Sequence, residues 1–370
     1  MTNNTLPANN YTFDELLRWV RLSLVEGLGA QTFCQLLKRF GHPDAVLNAS
    51  ITDLQSVISE KIALVIKNNA DESQLEKTRD WLKQADNFII TLADARYPQA
   101  LLEISDPPPL LYAKGNVALL NQISIAVVGS RSASVQGEKN AHAFAFELAQ
   151  SGLTIVSGMA LGIDGAAHKG ALAATGATIA VVGTGLDIVY PAKHRDLAHE
   201  IAKSGLIISE FPLGTPSMAK NFPKRNRIVS GLSLGCLVVE ANLQSGSQII
   251  AHLAGEQGRE VFAIPGSIHS PTAKGCHQLI KQGAKLVDCI QDILEEINWE
   301  NVISASKDSA EDIAETHPIL QHIGYEPTSL GTIVQLSSLS VNEVSATLMM
   351  LELEGKVASL AGGKYQKISG

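Results

Sequence analysis

The sequence lacks the marks of a disulfide framework or a structural zinc site. Its four cysteines, Cys34, Cys236, Cys276 and Cys289, are far apart and form no CxxC pair, which points to a reducing compartment. Long apolar runs are missing as well. No stretch approaches the roughly 20 residues of a membrane span, and the opening MTNNTLPANN has neither a charged n-region nor an apolar h-region. Membrane insertion and secretion are therefore not expected, and a cytoplasmic location is. Positive charge is also scarce: 29 Lys and Arg stand against 37 Asp and Glu, a net charge of −8. That balance argues against a protein that coats nucleic acid through a generally basic surface. Any contact with nucleic acid must be local, so the distribution of cations matters more than their total.

What is present is an ordinary soluble composition of 370 residues, 45% hydrophobic and 18% charged, enough for two or three domains. From about Ser124 to Asp288, short β-branched runs alternate with helical stretches: ISIAVV, LTIVS, TIAVV, LIIS, CLVVE, EVFAI and AKLVD. The alternation predicts an α/β fold, an extended Rossmann-like core in which a parallel sheet is covered by helices. Gly152, Gly176, Gly205, Gly258 and Gly283 stand where helices end, as residues suited to the left-handed C′ position. The stretch 210–233, EFPLGTPSMAKNFPKRNRIVSGLS, is the longest poorly periodic part of the core and reads as a long functional loop.

Outside the core, residues 1–90 read as an N-terminal helical domain, SAM-like or helix-hairpin-helix-like. Within it, Glu26-Gly27-Leu28-Gly29 sits between two helices. This turn either offers backbone N–H groups to phosphates or simply connects the helices. Residues 97–115, with prolines at 107–109, read as an extended junction leading into a core of 91–300. A polar linker is expected over 301–317, and a winged helix over 318–370. Its third helix, Val341–Glu354, carries Glu343, Glu352 and Glu354 but no Lys or Arg, a poor match to a DNA groove. That domain is expected to bind protein or support the core.

The chemistry-bearing residues gather at strand ends. Gly129-Ser130-Arg131 follows the first core strand, at the carboxyl edge where open α/β folds bind ligands and helix N-termini suit phosphate. The same residues could make no more than a tight turn with a solvated Arg131. Two further glycine-rich turns, one around Gly158 and one at Gly183, follow neighbouring strands. Neither completes a GxGxxG fingerprint, and no spacing around His168 suggests a metal, so no cofactor is expected. His168 reads as a hydrogen-bonded structural residue. In the 210–233 stretch, Lys220, Lys224, Arg225 and Arg227 supply four cations around Phe222, with no acidic residue between Glu210 and Glu240. Cations interleaved with an aromatic make a platform for single-stranded nucleic acid; the alternative is a solvated basic loop anchored by Phe222. Ser245, Gly246 and Ser247 add small hydroxyls and N–H groups at a further helix start. Glu240 could serve as a base or ribose ligand, but no second carboxylate and no Ser/His/Asp set accompanies it.

In this order, the Gly129-Ser130-Arg131 turn, SGMALGID, GTGLDIVYP, FPKRNRIVSGLS and the SGS before a helix closely resemble the DNA-processing protein A (DprA/Smf) family. YPQALLEISDPPPLLYAKG and the terminal winged helix extend the resemblance over nearly the whole chain. It implies a non-enzymatic protein that forms a homodimer, binds single-stranded DNA, protects it during natural transformation and recombination, and loads the RecA recombinase onto it. The family's DNA pocket carries over to Ser130, Arg131, the Gly158 turn, Lys193, Phe222, Lys224, Arg225, Asn226 and Arg227. The sequence departs from the family at Gly331, where an acidic residue commonly opens the second winged helix. The rival is a nucleotide-hydrolysing enzyme of the phosphoribohydrolase-like Rossmann group, whose PGG motif is absent here.

Overall fold

A computed structural model describes residues 12–68, 72–299, 318–323, 328–337, 339–353, 357–360 and 363–367. The linker expected over 301–317 lies outside the described residues. The chain divides into two compact units, Met1–Ile297 and Asn298–Gly370.

The first unit is built on a nine-stranded sheet: β1 (Asn87–Thr91), β2 (Leu110–Gly115), β3 (Ser124–Val128), β4 (Thr154–Ser157), β5 (Thr178–Val181), β6 (Leu206–Ser209), β7 (Gly235–Val238), β8 (Glu260–Ala263) and β9 (Lys285–Leu286). The spatial order is β1-β2-β6-β5-β4-β3-β7-β8-β9. Strands β3 to β9 pair in parallel, and β2 joins β6 antiparallel. Strands β3 to β7 are buried along their whole length. Helices on both faces therefore favour β-branched runs over alternation, which is why these segments were visible in the sequence. The chain winds outward from β3 through β4 and β5 to β6, then returns to begin again at β7 on the other side of β3. A crevice opens at such a reversal, beyond the carboxyl ends of the two strands.

Three sequence expectations change. Residues 97–115 are more than a junction, because β2 extends the sheet and pairs with both β1 and β6. The helices of 13–82 form one unit with the core, since Trp19, Phe33 and Leu54 share a buried cluster with Ile89 and Tyr112 of β1 and β2. Lastly, Gly152, Gly176, Gly258 and Gly283 have the positive φ expected of them, but Gly205 has φ −118°. Gly205 is needed for room: a Cβ there would stand 2.5 Å from the Thr178 carbonyl oxygen.

The helix Phe13–Ser23 starts with a capping box in which the Thr12 and Glu15 side chains each bond the other's backbone. The turn after it leads to Gly29, which opens the helix Ala30–Phe40 without a side-chain cap.

The second unit holds a short 3₁₀ turn (Pro318–His322), the helices Leu330–Ser337 and Val341–Leu353, and strands β10 (Thr328–Ser329), β11 (Val357–Leu360) and β12 (Lys364–Lys367) in the order β10-β12-β11. Ile319, Ile333, Val344, Leu348 and Val357 close its own core. This is the expected winged-helix arrangement. Among the described residues, no helix is long and apolar enough to cross a membrane.

Candidate nucleic-acid interface

The crevice at the β3/β7 reversal is a cleft of about 750 Å³, lined by Gly129 to Ser132 after β3 and by Asn242 and Gln244 to Ser247 after β7. Phe222, Pro223, Arg225 and Asn226 form a further wall. Backbone bonds tie the corner together: the Ser130 N–H donates to the Glu240 carbonyl at 2.8 Å, and the Ile163 N–H donates to the Ser130 carbonyl at 3.2 Å. Only glycine fits at 129, where a Cβ would meet Ile163 and the Glu240 carbonyl within 3 Å. This bracing leaves Ser130 buried and turns Arg131 out to solvent.

Glu240 is occupied with structure rather than poised as a base. Its carboxylate accepts from the Ser134 backbone N–H at 2.9 Å and from the Ser134 hydroxyl, which fixes the start of the helix Val135–Gln150. Ser245 caps the helix Gly246–Glu256 by accepting from the Gln248 N–H, and its hydroxyl pairs with that of Ser247 at 2.9 Å. Gly246 stays exposed at that helix's first turn.

The stretch 210–233 departs most from its expected form. Asn221–Gly231 is a helix, not part of a loop, with Pro223 in its first turn where a missing N–H costs nothing. As a result the four cations divide into two kinds. Lys220 and Lys224 are exposed and form no ion pair among the described residues. Arg225 is buried beside Asp164 and donates to the Val181 carbonyl, and its Nε donates to Asn226 Oδ1 at 3.2 Å. Arg227 is buried between Asp106, at 2.7 Å from its Nε, and Glu210, at 2.6 Å from its Nη2. The segment has no internal acid, but its counter-ions come from other parts of the chain. Burial pushes the Asp164 and Glu210 carboxyls above their usual range, and Arg225 and Arg227 respectively oppose that shift.

Gly158 is buried, and a Cβ there would collide with both the Arg225 guanidinium and the Asp164 carboxylate. Its role in the fold is to leave room for these two opposite charges to lie near one another. His168 lies wholly buried between the Gly158 carbonyl, at 2.6 Å, and the Thr178 hydroxyl, at 2.7 Å, and burial pushes its pKa down to about 4. That is the structural role its sequence context suggested.

Phe222 meets the Gly-Ser-Arg corner directly, since the Arg131 guanidinium carbon lies 5.2 Å from the ring centre. Cation–π attraction of this kind holds the two planar groups together. Sequence reasoning missed Tyr190, which is 45% exposed, with its ring 6.0 Å from Phe222. The YP pair beside Lys193 was the available signal. Arg131, Phe222, Tyr190, Leu161 and Gly183 enclose a smaller hollow that adjoins the cleft. Lys193 is exposed just beyond Tyr190 and Pro191, in the turn Ala192–His194, and forms no ion pair among the described residues. The rim thus combines unpaired cations, two aromatic rings and open backbone N–H groups, a set suited to phosphates and stacked bases.

Comparison with known proteins bears on the same residues. A family profile described as DNA recombination-mediator protein A matches residues 88–298, and a second, described as DprA winged helix domain, matches 304–363. Protein Smf of Escherichia coli (strain K12) is 40% identical over 331 residues, 85% of this chain and 88% of that protein. DNA processing protein DprA of Streptococcus pneumoniae (strain ATCC BAA-255 / R6) is 48% identical over 209 residues, 56% of this chain and 74% of that protein. Among solved structures, DNA processing protein A from Streptococcus pneumoniae superposes with a TM-score of 0.67 at 37% identity, covering 77% of this chain and 98% of that one. DNA processing protein A from Helicobacter pylori, described for its single-stranded DNA binding mode, gives a TM-score of 0.53 at 32% identity, over 57% of this chain and 96% of that one.

Proposed function

The chain belongs to the DNA recombination-mediator protein A family, the DprA and Smf proteins, and from that premise we propose that it binds single-stranded DNA in the cleft at the β3/β7 reversal. Phosphates lie against Arg131, Lys193, Lys220 and Lys224 and the N–H groups around Gly246 and Ser247, while the Gly129-Ser130 turn, braced on Glu240, lets the backbone approach. A base stacks on Phe222, flanked by Tyr190. Arg225, Asn226 and Arg227 hold the wall in shape, and Gly158 makes the space they need. The single observation behind the reading is the contact between Arg131 and Phe222, which sets a cation and a stacking surface on one edge of a cleft of about 750 Å³. Such a site binds charge and shape rather than sequence. The likeness to DprA proteins supports the wider role: protecting incoming single strands in the cytoplasm and, as a homodimer, loading RecA onto them during natural transformation and recombination.

The test is fluorescence anisotropy with a labelled oligonucleotide across a salt series. Arg131→Ala with Lys193→Ala should weaken binding strongly and reduce the salt slope by about 1.4, about 0.7 for each phosphate of a single strand deprived of its cation. Affinity and slope equal to those of the parent protein would rule out this cleft as the DNA site.

A further inference from the structure

We propose that Asp187 is a positioning residue for single-strand binding: it pins the turn that carries Tyr190 to the segment that leads to Phe222, and Lys77 of the N-terminal helices holds its carboxylate in place. The inference rests on the DNA-binding reading above and extends it to a residue that lines neither the cleft nor the smaller hollow beside it. The turn 183–190 lies directly on Phe222, since a Cβ at Gly183 would meet the Phe222 ring at 3.3 Å. Beside that ring, Asn221 Nδ2 donates to the Gly183 carbonyl at 3.0 Å. Further along the turn, the Gly185 N–H donates to the Thr215 carbonyl at 3.0 Å, and the Gly214 N–H donates to Asp187 Oδ1 at 2.7 Å. The two aromatic rings of the rim thus sit on chain segments tied to one another at both ends. The Asp187 carboxylate makes one of those ties.

The N-terminal helices anchor the same point. Leu213, next to Gly214, is buried among Leu75 and Trp81 in the N-terminal cluster, and Gln74 Nε2 donates to its carbonyl at 2.8 Å. Three residues on in the helix Glu72–Leu82, Lys77 Nζ reaches Asp187 Oδ2 at 2.8 Å. Both carboxylate oxygens are therefore engaged, one by Gly214 and one by Lys77. Gly214 has φ +81°, and a Cβ there would stand 2.8 Å from Lys77 Nζ, so the close approach requires glycine. Burial opposes charge on Asp187, but the Gly214 N–H and Lys77 outweigh it and hold the carboxyl below its usual range. An ion pair this exposed adds little to global stability. Its consequence is geometric: with the tie in place, Tyr190 and Phe222 are set before the strand arrives, and binding need not order them. A carboxylate carries the wrong charge to attract DNA, so positioning, not attraction, accounts for its place in this turn.

Anisotropy with a labelled oligothymidylate tests this with two variants of equal charge. Asp187→Asn keeps an acceptor for the Gly214 N–H, whereas Asp187→Ala keeps none. By charge alone, both should bind the polyanion slightly more tightly than the parent, and by the same amount. Positioning predicts a split: Asp187→Asn at or just above the parent affinity, Asp187→Ala several-fold below it, with the salt slope unchanged because no phosphate loses its cation. The split should close in a Phe222→Ala background, since the tie acts through that ring. Lys77→Met, which leaves Asp187 on Gly214 but loosens it, gives a check that does not depend on the folding of Asp187→Ala. Its loss of affinity should be smaller and should likewise close without Phe222. Equal affinities for Asp187→Asn and Asp187→Ala, or losses that persist undiminished in the Phe222→Ala background, overturn the positioning role and leave the main cleft standing. If the parent protein does not bind the strand, the DNA-binding reading itself falls.

Discussion

Arg131 and Arg225 carry the same charge and are put to opposite uses. Arg131 is exposed and lies on Phe222, whereas Arg225 is sealed beside Asp164 beneath the same cleft. The sequence revealed the first arrangement, because both Arg131 and Phe222 follow segments that end at one sheet edge. It hid the second, because Asp164 lies in a different helix, remote in the chain from its partner. His168 shows how strongly this buried layer resists charge. Its pKa falls from the usual 6.5 to about 4, so the folded chain refuses a proton that the unfolded chain accepts. Above pH 6.5 both states are neutral there and the native state keeps its full stability; as the pH falls from 6.5 towards 4, that stability is lost. Between pH 7 and pH 5 the loss attributable to His168 is about 2 kcal/mol. Urea unfolding of the parent protein and of His168→Gln should therefore show a stability gap that shrinks by this amount over that interval. A gap that stays constant would mean that His168 ionises freely in the folded state.

At the scale of elements, strands were legible and one helix was not. Runs such as Ile125 to Val128 announce themselves because a strand covered on both faces has no polar side to interrupt it. The helix Asn221–Gly231 has no such stripe: its buried residues include Asn221, Arg225, Asn226 and Arg227, made tolerable by partners from elsewhere in the chain. Pro223 disguised its first turn further. The pair of helices Val135–Gln150 and Ile163–Ala174 shows another determinant that periodicity does not reveal, namely closeness. A Cβ at Gly170 would collide with the His142 carbonyl of the neighbouring helix. Helix propensity alone favours alanine at such a position by about 1 kcal/mol. The clash acts the other way, because a backbone carbonyl cannot rotate aside and the helices must separate, at a cost of about 1–3 kcal/mol. Gly170→Ala is therefore expected to lower the urea midpoint; a midpoint equal to the parent's or above it would mean that the helices have room to spare.

Across the whole molecule, an acidic chain can still hold a polyanion if its free cations are gathered on one rim. Net charge is −8, yet Arg131 lines the cleft and Lys193, Lys220 and Lys224 stand exposed on the segments that carry Tyr190 and Phe222, while Asp106, Asp164 and Glu210 face buried arginines. The winged-helix unit has the contrary character. Its helix Val341–Leu353 contains Glu343 and Glu352 and no Lys or Arg, so it repels phosphates at short range. Met349 and Met350 are exposed on it, a surface better suited to protein than to a groove of DNA. Every residue assigned to the DNA rim lies within Met1–Ile297, and each unit closes its own core. Deleting residues 304–370 should therefore leave both the affinity for a single strand and its salt slope at the full-length values in anisotropy. A reduced salt slope in the truncated chain would mean that phosphates touch the winged unit directly, and the rim would then supply only part of the binding surface.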